Sequence, residues 1–221
     1  MFTFANPNRR PKKDMLKKKI KRSYRISKYI IYKETLVNRT EQFWAFIGSF
    51  AGIGLIAYIQ QFHLQTADNV LLIGSFGASS VLIYGAIQSP LAQPRNLIGG
   101  HVISALIGVS IQQVLPDQLW LSAPLAVSLS IIAMQYTKTL HPPGGATALI
   151  AVSGSEQIIK LGYLYILWPV LTGVFILLSC ALLFNNITPK RTYPTTGRFS
   201  KSVKWIISPA RGTLKRLRSK D

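Results

Sequence analysis

TLHPPGGATALIA, residues 139–151, sets a histidine, two prolines and two glycines inside an otherwise apolar run. Each of these is a poor helix residue, through ring clash, a lost N–H or lost backbone entropy. The stretch therefore predicts a break: Pro142 and Pro143 hold the chain extended, and a short helix starts at about Gly144. Five extended residues cover about 16 Å at ~3.3 Å each, and ten helical residues add about 15 Å. Together they match a hydrocarbon core of roughly 30 Å, which a continuous helix of that length could not span.

The surroundings favour such a core. The chain of 221 residues carries a net charge of +19, which looks like a nucleic-acid binder until the charge is mapped. Residues 1–41 hold 13 Lys/Arg against Asp14, Glu34 and Glu41, and residues 186–221 hold 10 against Asp221. Between them, 42–185 has only Arg95, Lys138 and Lys160 against Asp68, Asp117 and Glu156. A long apolar centre between two basic tails is the pattern of a multi-pass membrane protein with both ends on the cytoplasmic side. No secretory signal is expected near Met1, because the first apolar stretch begins only at Phe43. The single Cys180 lies in an apolar run and reads as a packing residue.

Six apolar stretches follow: 43–60, 70–87, 96–114, 120–137, 140–153 and 162–184. Five reach the roughly 17 residues that a spanning helix needs, and the fifth in order does not. With six crossings Arg95 and Lys138 fall inside, while Asp68, Asp117, Glu156 and Lys160 fall outside; the positive-inside tendency prefers this to four crossings with two re-entrant loops.

An offset of 68 aligns Gly77-Ala78-Ser79-Ser80-Val81-Leu82-Ile83 with Gly145-Ala146-Thr147-Ala148-Leu149-Ile150-Ala151, and Val102-Ile103-Ser104-Ala105 with Val170-Leu171-Thr172-Gly173. Small apolar residues match cheaply in any membrane protein, so chance competes with duplication here. Duplication predicts an all-α helical bundle of two inverted three-segment repeats, about 43–114 and 120–184, each with a broken half-helix. Half-helices from about Gly77 and Gly144 would then aim their N-termini at mid-membrane, where unpaired N–H groups and the positive dipole end suit a small anion.

The candidate binding residues are Gly77, Ala78, Ser79 and Ser80 in GSFGASS, and His141, Gly144, Gly145, Ala146 and Thr147 in HPPGGAT. Glycines admit close backbone approach, and hydroxyls add donors. His141 could contact the anion, gate by protonation, or merely fix the break. His101 is the other ionisable residue well inside an apolar stretch, and Arg95 and Lys138 stand at segment ends; all three are candidates for gating or entry. Against function, hydroxyls in membrane helices serve packing at least as often as ligands. His63, in the polar turn QFHLQTADN, is expected in solvent.

The six stretches contain no Asp or Glu, which argues against carriers that use buried carboxylates. No P-loop, zinc spacing or nucleophile motif points to an enzyme, a metal or a cofactor. Gly48-x-x-x-Gly52 and Gly100-x-x-x-Ser104-x-x-x-Gly108 are small-residue faces for close packing, within the protomer or in a homo-oligomer. Apolar residues recur at helical spacing in 12–33 and 199–206, predicting basic amphipathic helices on anionic headgroups rather than a nucleic-acid arm.

HPPGGATALIAV (141–152), FGASSVLIY (76–84) and SPLAQPRNLIGGHVISALIGV (89–109) resemble the HPP family of integral membrane proteins, over about residues 42–185. That family is usually described with four transmembrane helices, against the six segments read here. Some members carry cytoplasmic CBS domains, and none is expected in this chain. The resemblance implies nitrite as the anion and a cyanobacterial inner membrane or chloroplast envelope, where the basic tails would put both termini on the cytoplasmic or stromal side. The rival to transport is a membrane scaffold or sensor whose breaks serve packing alone.

Overall fold

A computed structural model describes residues 38–187 and 191–195, with Lys21 as an isolated helical position. The chain divides into two units, 1–39 and 40–221. The amphipathic helices predicted in 12–33 and 199–206 lie outside the described residues, Lys21 excepted.

The helices in order are α1 (Arg39–Gln60), α2 (Thr66–Ser80), α3 (Pro94–Val114), α4 (Leu119–Tyr136), α5 (Pro143–Ser153), α6 (Glu156–Leu161) and α7 (Thr172–Phe184). A π-helical turn, Val81–Gly85, prolongs α2, and another, Ile166–Leu171, leads into α7. Among the described residues five helices are long and apolar enough to cross a membrane: Arg39–Gln60, Thr66–Gly85, Pro94–Val114, Leu119–Tyr136 and Ile166–Phe184. The helix at Pro143–Ser153 is apolar and shorter. The protein is thus an all-α polytopic membrane protein.

Its helices are inside-out relative to those of a soluble bundle. α1 buries Gly48, Gly52, Ile56 and Gln60 and exposes Phe46, Phe50, Leu55 and Tyr58. α4 buries Ser122, Ala126, Ser130 and Met134, while Leu129, Ile131 and Ile132 face outward. Lipid solvates the large apolar side chains, so the interior is left to small residues that let backbones approach. A methyl built on Gly108 would lie 2.6 Å from the Ala148 carbonyl oxygen, and one on Gly144 would lie 2.8 Å from that of Gly100. The Gly100–Ser104–Gly108 face therefore packs α3 against α5 within the chain. Gly48 and Gly52 make room in the same way for the Tyr84 ring.

The two ends of the bundle differ in charge. At one end the buried Asp68 carboxylate accepts from Ser155 N and Ser155 Oγ, and exposed Lys160 pairs with Glu156 at 2.9 Å. Exposed His63 stands there too, edge-on to Trp168. At the other end Arg95 donates to the Thr137 carbonyl at 2.8 Å. Lys138 terminates α4 with φ 57, a left-handed conformation costly for a residue with a Cβ. Arg191 donates to the Glu41, Tyr84 and Asn185 oxygens. Burial draws its guanidinium below its ordinary range and pushes the nearby Tyr193 phenol above its own.

Three expectations change. α2 runs unbroken through Gly77, so no half-helix starts there: without a proline, every amide keeps its i−4 partner through GSFGASS. A second break does exist, in the last apolar stretch, where Trp168 is extended (φ −132, ψ 125) before Pro169. The packed region also continues past residue 185, because Arg191 and Tyr193 are buried against the bundle.

Candidate functional site

The break forms over 139–142, but the prolines do not hold the chain extended: Pro142 already has helical dihedrals (φ −52, ψ −38) and Pro143 opens α5, where its missing N–H costs nothing. After Lys138 the chain is non-helical until Pro143, where α5 begins. Where α4 ends and the chain leaves the helix, carbonyls lose their helical amide partners, and at membrane depth such groups need protein partners. The first turn of α3 supplies them. Arg95 holds the Thr137 carbonyl and Asn96 Nδ2 the Leu140 carbonyl, each at 2.8 Å. From α2, Ser75 Oγ donates to the Pro143 carbonyl at 3.0 Å.

The same break swings His141 into the centre of the bundle. Its Nδ1 lies 2.9 Å from the Leu91 carbonyl oxygen and its Nε2 2.9 Å from Ser79 Oγ. Ser79 Oγ also lies 2.8 Å from His101 Nε2. His101 Nδ1 contacts Thr147 Oγ1 at 2.7 Å, and Thr147 Oγ1 contacts Ser75 Oγ at 3.1 Å. All five side chains are at most 2% exposed. The rings sit 5.1 Å apart between centroids, with Phe76 beside His101.

Hydrogen-bond accounting orders this cluster. A carbonyl only accepts, so His141 Nδ1 carries a proton; if the ring is neutral, its Nε2 must accept from Ser79. Ser79 has a single proton, so His101 must donate to it through Nε2. His101 Nδ1 then accepts from Thr147, and the single Ser75 proton serves either Thr147 Oγ1 at 3.1 Å or the Pro143 carbonyl at 3.0 Å. For two neutral rings, with Ser79 donating to His141 rather than to the Ser75 carbonyl 3.3 Å away, Thr147, His101, Ser79 and His141 each donate toward Leu91.

The predicted site residues separate into two groups. His141, Ser79, Thr147 and His101 meet in one cluster. Gly144 lies beneath it, packed on the Gly100 carbonyl and Ser104 Oγ. Gly77 and Ser80 instead line an outward-facing groove with Phe46, Phe50 and Tyr84, Ala78 is exposed, and Ser80 Oγ has no hydrogen-bond partner. Gly145 and Ala146 are half-buried, with Gly145 turned toward Val127. Arg95 and Lys138 are exposed at the basic end. The amides at the start of α5 are not bare: Gly144 N donates to the His141 carbonyl at 2.8 Å and Gly145 N to that of Pro142 at 3.0 Å. Ser75 was missed, although it stands one helical turn before Ser79. Tyr165, whose hydroxyl donates to the Thr147 carbonyl at 3.1 Å, left no signal in the sequence. No group of His, Cys, Asp or Glu able to hold a metal ion occurs among the described residues.

Residues 34–194, which contain this whole cluster, match the family described as HPP, transmembrane region. The chain belongs to the HPP family. Two Dictyostelium discoideum proteins, each named only as a transmembrane protein, are similar to it. One is 49% identical over 154 residues, covering 68% of this chain and 54% of the relative. The other is 46% identical over 154 residues, covering 68% and 49%. The chain spans about half the length of these curated relatives. No solved structure matches it. The motifs that placed it in the HPP family are thus the segments that meet at the cluster: His141 from HPPGG, Ser79 from FGASS and His101 from IGGH.

Proposed function

We propose that this HPP-family protein carries a small monovalent anion across the membrane, and that the path runs through the His101–Ser79–His141 cluster. The observation that carries the reading is the seat of Ser79 Oγ, one oxygen atom held between two imidazole Nε2 atoms at 2.8 and 2.9 Å. Displacement of that hydroxyl by an anion oxygen, with both Nε2 atoms donating, would replace a neutral contact by charge-assisted ones. Exposed Arg95 and Lys138 at one end would raise the local anion concentration. Nitrite and a cyanobacterial or chloroplast membrane follow from the family resemblance alone, while both termini on the cytoplasmic or stromal side follow from the basic tails. Inverted repeats would give the cluster a symmetric origin, since Ser79 and Thr147, equivalent at the 68-residue offset, flank His101 from opposite sides. The basic tails would rest on anionic lipid headgroups.

A second reading has its own support. The five side chains satisfy one another directly, and the first amides of α5 are already bonded. A scaffold or sensor would use such a closed network only to fix its packing.

Nitrite uptake into proteoliposomes separates the two. Saturable uptake by wild type that is lost in folded His141→Ala and Ser79→Ala supports transport through the cluster. Failure of folded wild type to take up nitrite, nitrate, formate or chloride, with or without a pH gradient, would leave the scaffold.

A further inference from the structure

The polarity of the buried chain carries a second consequence, which rests on the transport reading. Between neutral rings, and with the Ser75 proton turned from the Pro143 carbonyl to Thr147, each donor faces the next acceptor in one direction: Ser75 to Thr147, Thr147 to His101 Nδ1, His101 Nε2 to Ser79, Ser79 to His141 Nε2, and His141 Nδ1 to the Leu91 carbonyl. Every link is 3.1 Å or shorter. A packing network needs satisfied partners but has no need of relay groups. Here all five members are hydroxyls or imidazoles, the groups that can take a proton on one side and release one on the other.

We propose that Ser75, Thr147, His101, Ser79 and His141 form a proton relay that couples anion passage to proton movement. Each step balances. A proton brought by water to Ser75 Oγ displaces the Ser75 proton to Thr147, whose own proton moves to His101 Nδ1. His101 gives its Nε2 proton to Ser79, and Ser79 gives its proton to His141 Nε2. His141, now protonated on both nitrogens, releases its Nδ1 proton to a water molecule that reaches it when the cluster opens at the Leu91 carbonyl. One proton enters, one leaves, and every intermediate group gains one and loses one.

After one passage the chain is reversed. His101 then holds its proton on Nδ1 and His141 on Nε2, so a second proton cannot follow until hydroxyls rotate and the rings change tautomer or turn over. An imidazole with different partners on its two nitrogens cannot turn over in a closed core. The relay therefore passes one proton per opening of the cluster, which is what coupling to a transport cycle requires and what a free leak lacks. The groups facing the rings are Phe76 and Ser79 from α2, Thr147 from α5, the Leu91 carbonyl and each other. At the Ser75 end the Tyr165 hydroxyl donates to the Thr147 carbonyl at 3.1 Å. Asp68 stands seven residues, about 10 Å, before Ser75 along α2.

The test uses the full chain in proteoliposomes loaded with a pH-sensitive dye, with an imposed nitrite gradient and the leak of protein-free vesicles subtracted. The relay predicts proton movement with nitrite in wild type, its retention in Thr147→Ser, and its fall to the protein-free level in Thr147→Val. Ser79→Ala provides the same loss at a second link should Thr147→Val fail to fold. Nitrite uptake without proton movement in wild type overturns the relay and leaves anion transport standing. Proton movement under a pH gradient without nitrite uptake overturns the proposal, because protons would then cross uncoupled from any anion. Neither movement overturns both, and proton movement unchanged in folded Ser79→Ala and Thr147→Val overturns the relay.

Discussion

The second and fifth apolar segments share a motif at a 68-residue offset, yet their backbones differ. The second is a continuous helix through Gly77 that closes in a π-helical turn. The fifth is non-helical to His141, turns at Pro142 and is helical from Pro143. Glycines alone weaken a helix but leave every N–H in place, whereas consecutive prolines remove two donors. A single proline is not sufficient, since Pro124 sits inside an intact α4. The contrast has a functional use. The continuous segment presents Ser75 and Ser79 on one face, one turn apart, and the broken one brings His141 and Thr147 to meet them.

Substitutions can break or sharpen this contrast. The largest effect is expected from Gly144→Leu, because even a methyl there meets the Gly100 carbonyl at 2.8 Å. Overpacking against backbone costs about 1–3 kcal/mol or more, so gel filtration in detergent should show little monodisperse protein, while Gly77→Leu elutes as wild type. His141→Ala comes next. It strips a partner from Ser79 and from the Leu91 carbonyl, at about 1–3 kcal/mol for each buried group left unsatisfied, read as a lower melting temperature. Neighbouring hydroxyls should then diverge: Ser79→Ala destabilises by about 1–3 kcal/mol, whereas Ser80→Ala, which removes a hydroxyl without a partner, is neutral or stabilising. The smallest effect belongs to Gly77→Ala, with open space at its Cβ. In a continuous helix this change stabilises by about 0.5–1 kcal/mol. A drop in melting temperature would mean that the second segment is broken after all.

The apolar stretches, their order and the break before α5 were legible because length, hydropathy and proline act locally. The second break was equally visible as Pro169 but was absorbed into a long apolar run. The closed state of the site was not legible. HPPGG suggests bare amides, but the tight turn at His141–Gly145 bonds the first two, and the polar centre consists of side chains instead. Which side chains meet depends on the rotation of α2 and α3 about their axes, set by Gly100, Gly108 and Gly144 at the α3–α5 contact. A motif scan therefore finds His141, Ser79, Thr147 and His101 separately but neither pairs them nor finds Ser75. Likewise Asp68 looks like a loop residue until α2 begins at Thr66 and buries it.

The proton relay requires the two resting rings to be buried, neutral and held in opposite tautomers. Solid-state 15N NMR of histidine-labelled protein in lipid bilayers near neutral pH reads this directly, because the chain has only three histidines. Exposed His63 is identified by its loss in His63→Gln. The structure predicts one ring protonated on Nδ1, lost in His141→Ala, and one protonated on Nε2, lost in His101→Gln, neither exchanging with bulk water as fast as His63. Two rings in the same tautomer, or either titrating freely with the solvent, would contradict the account.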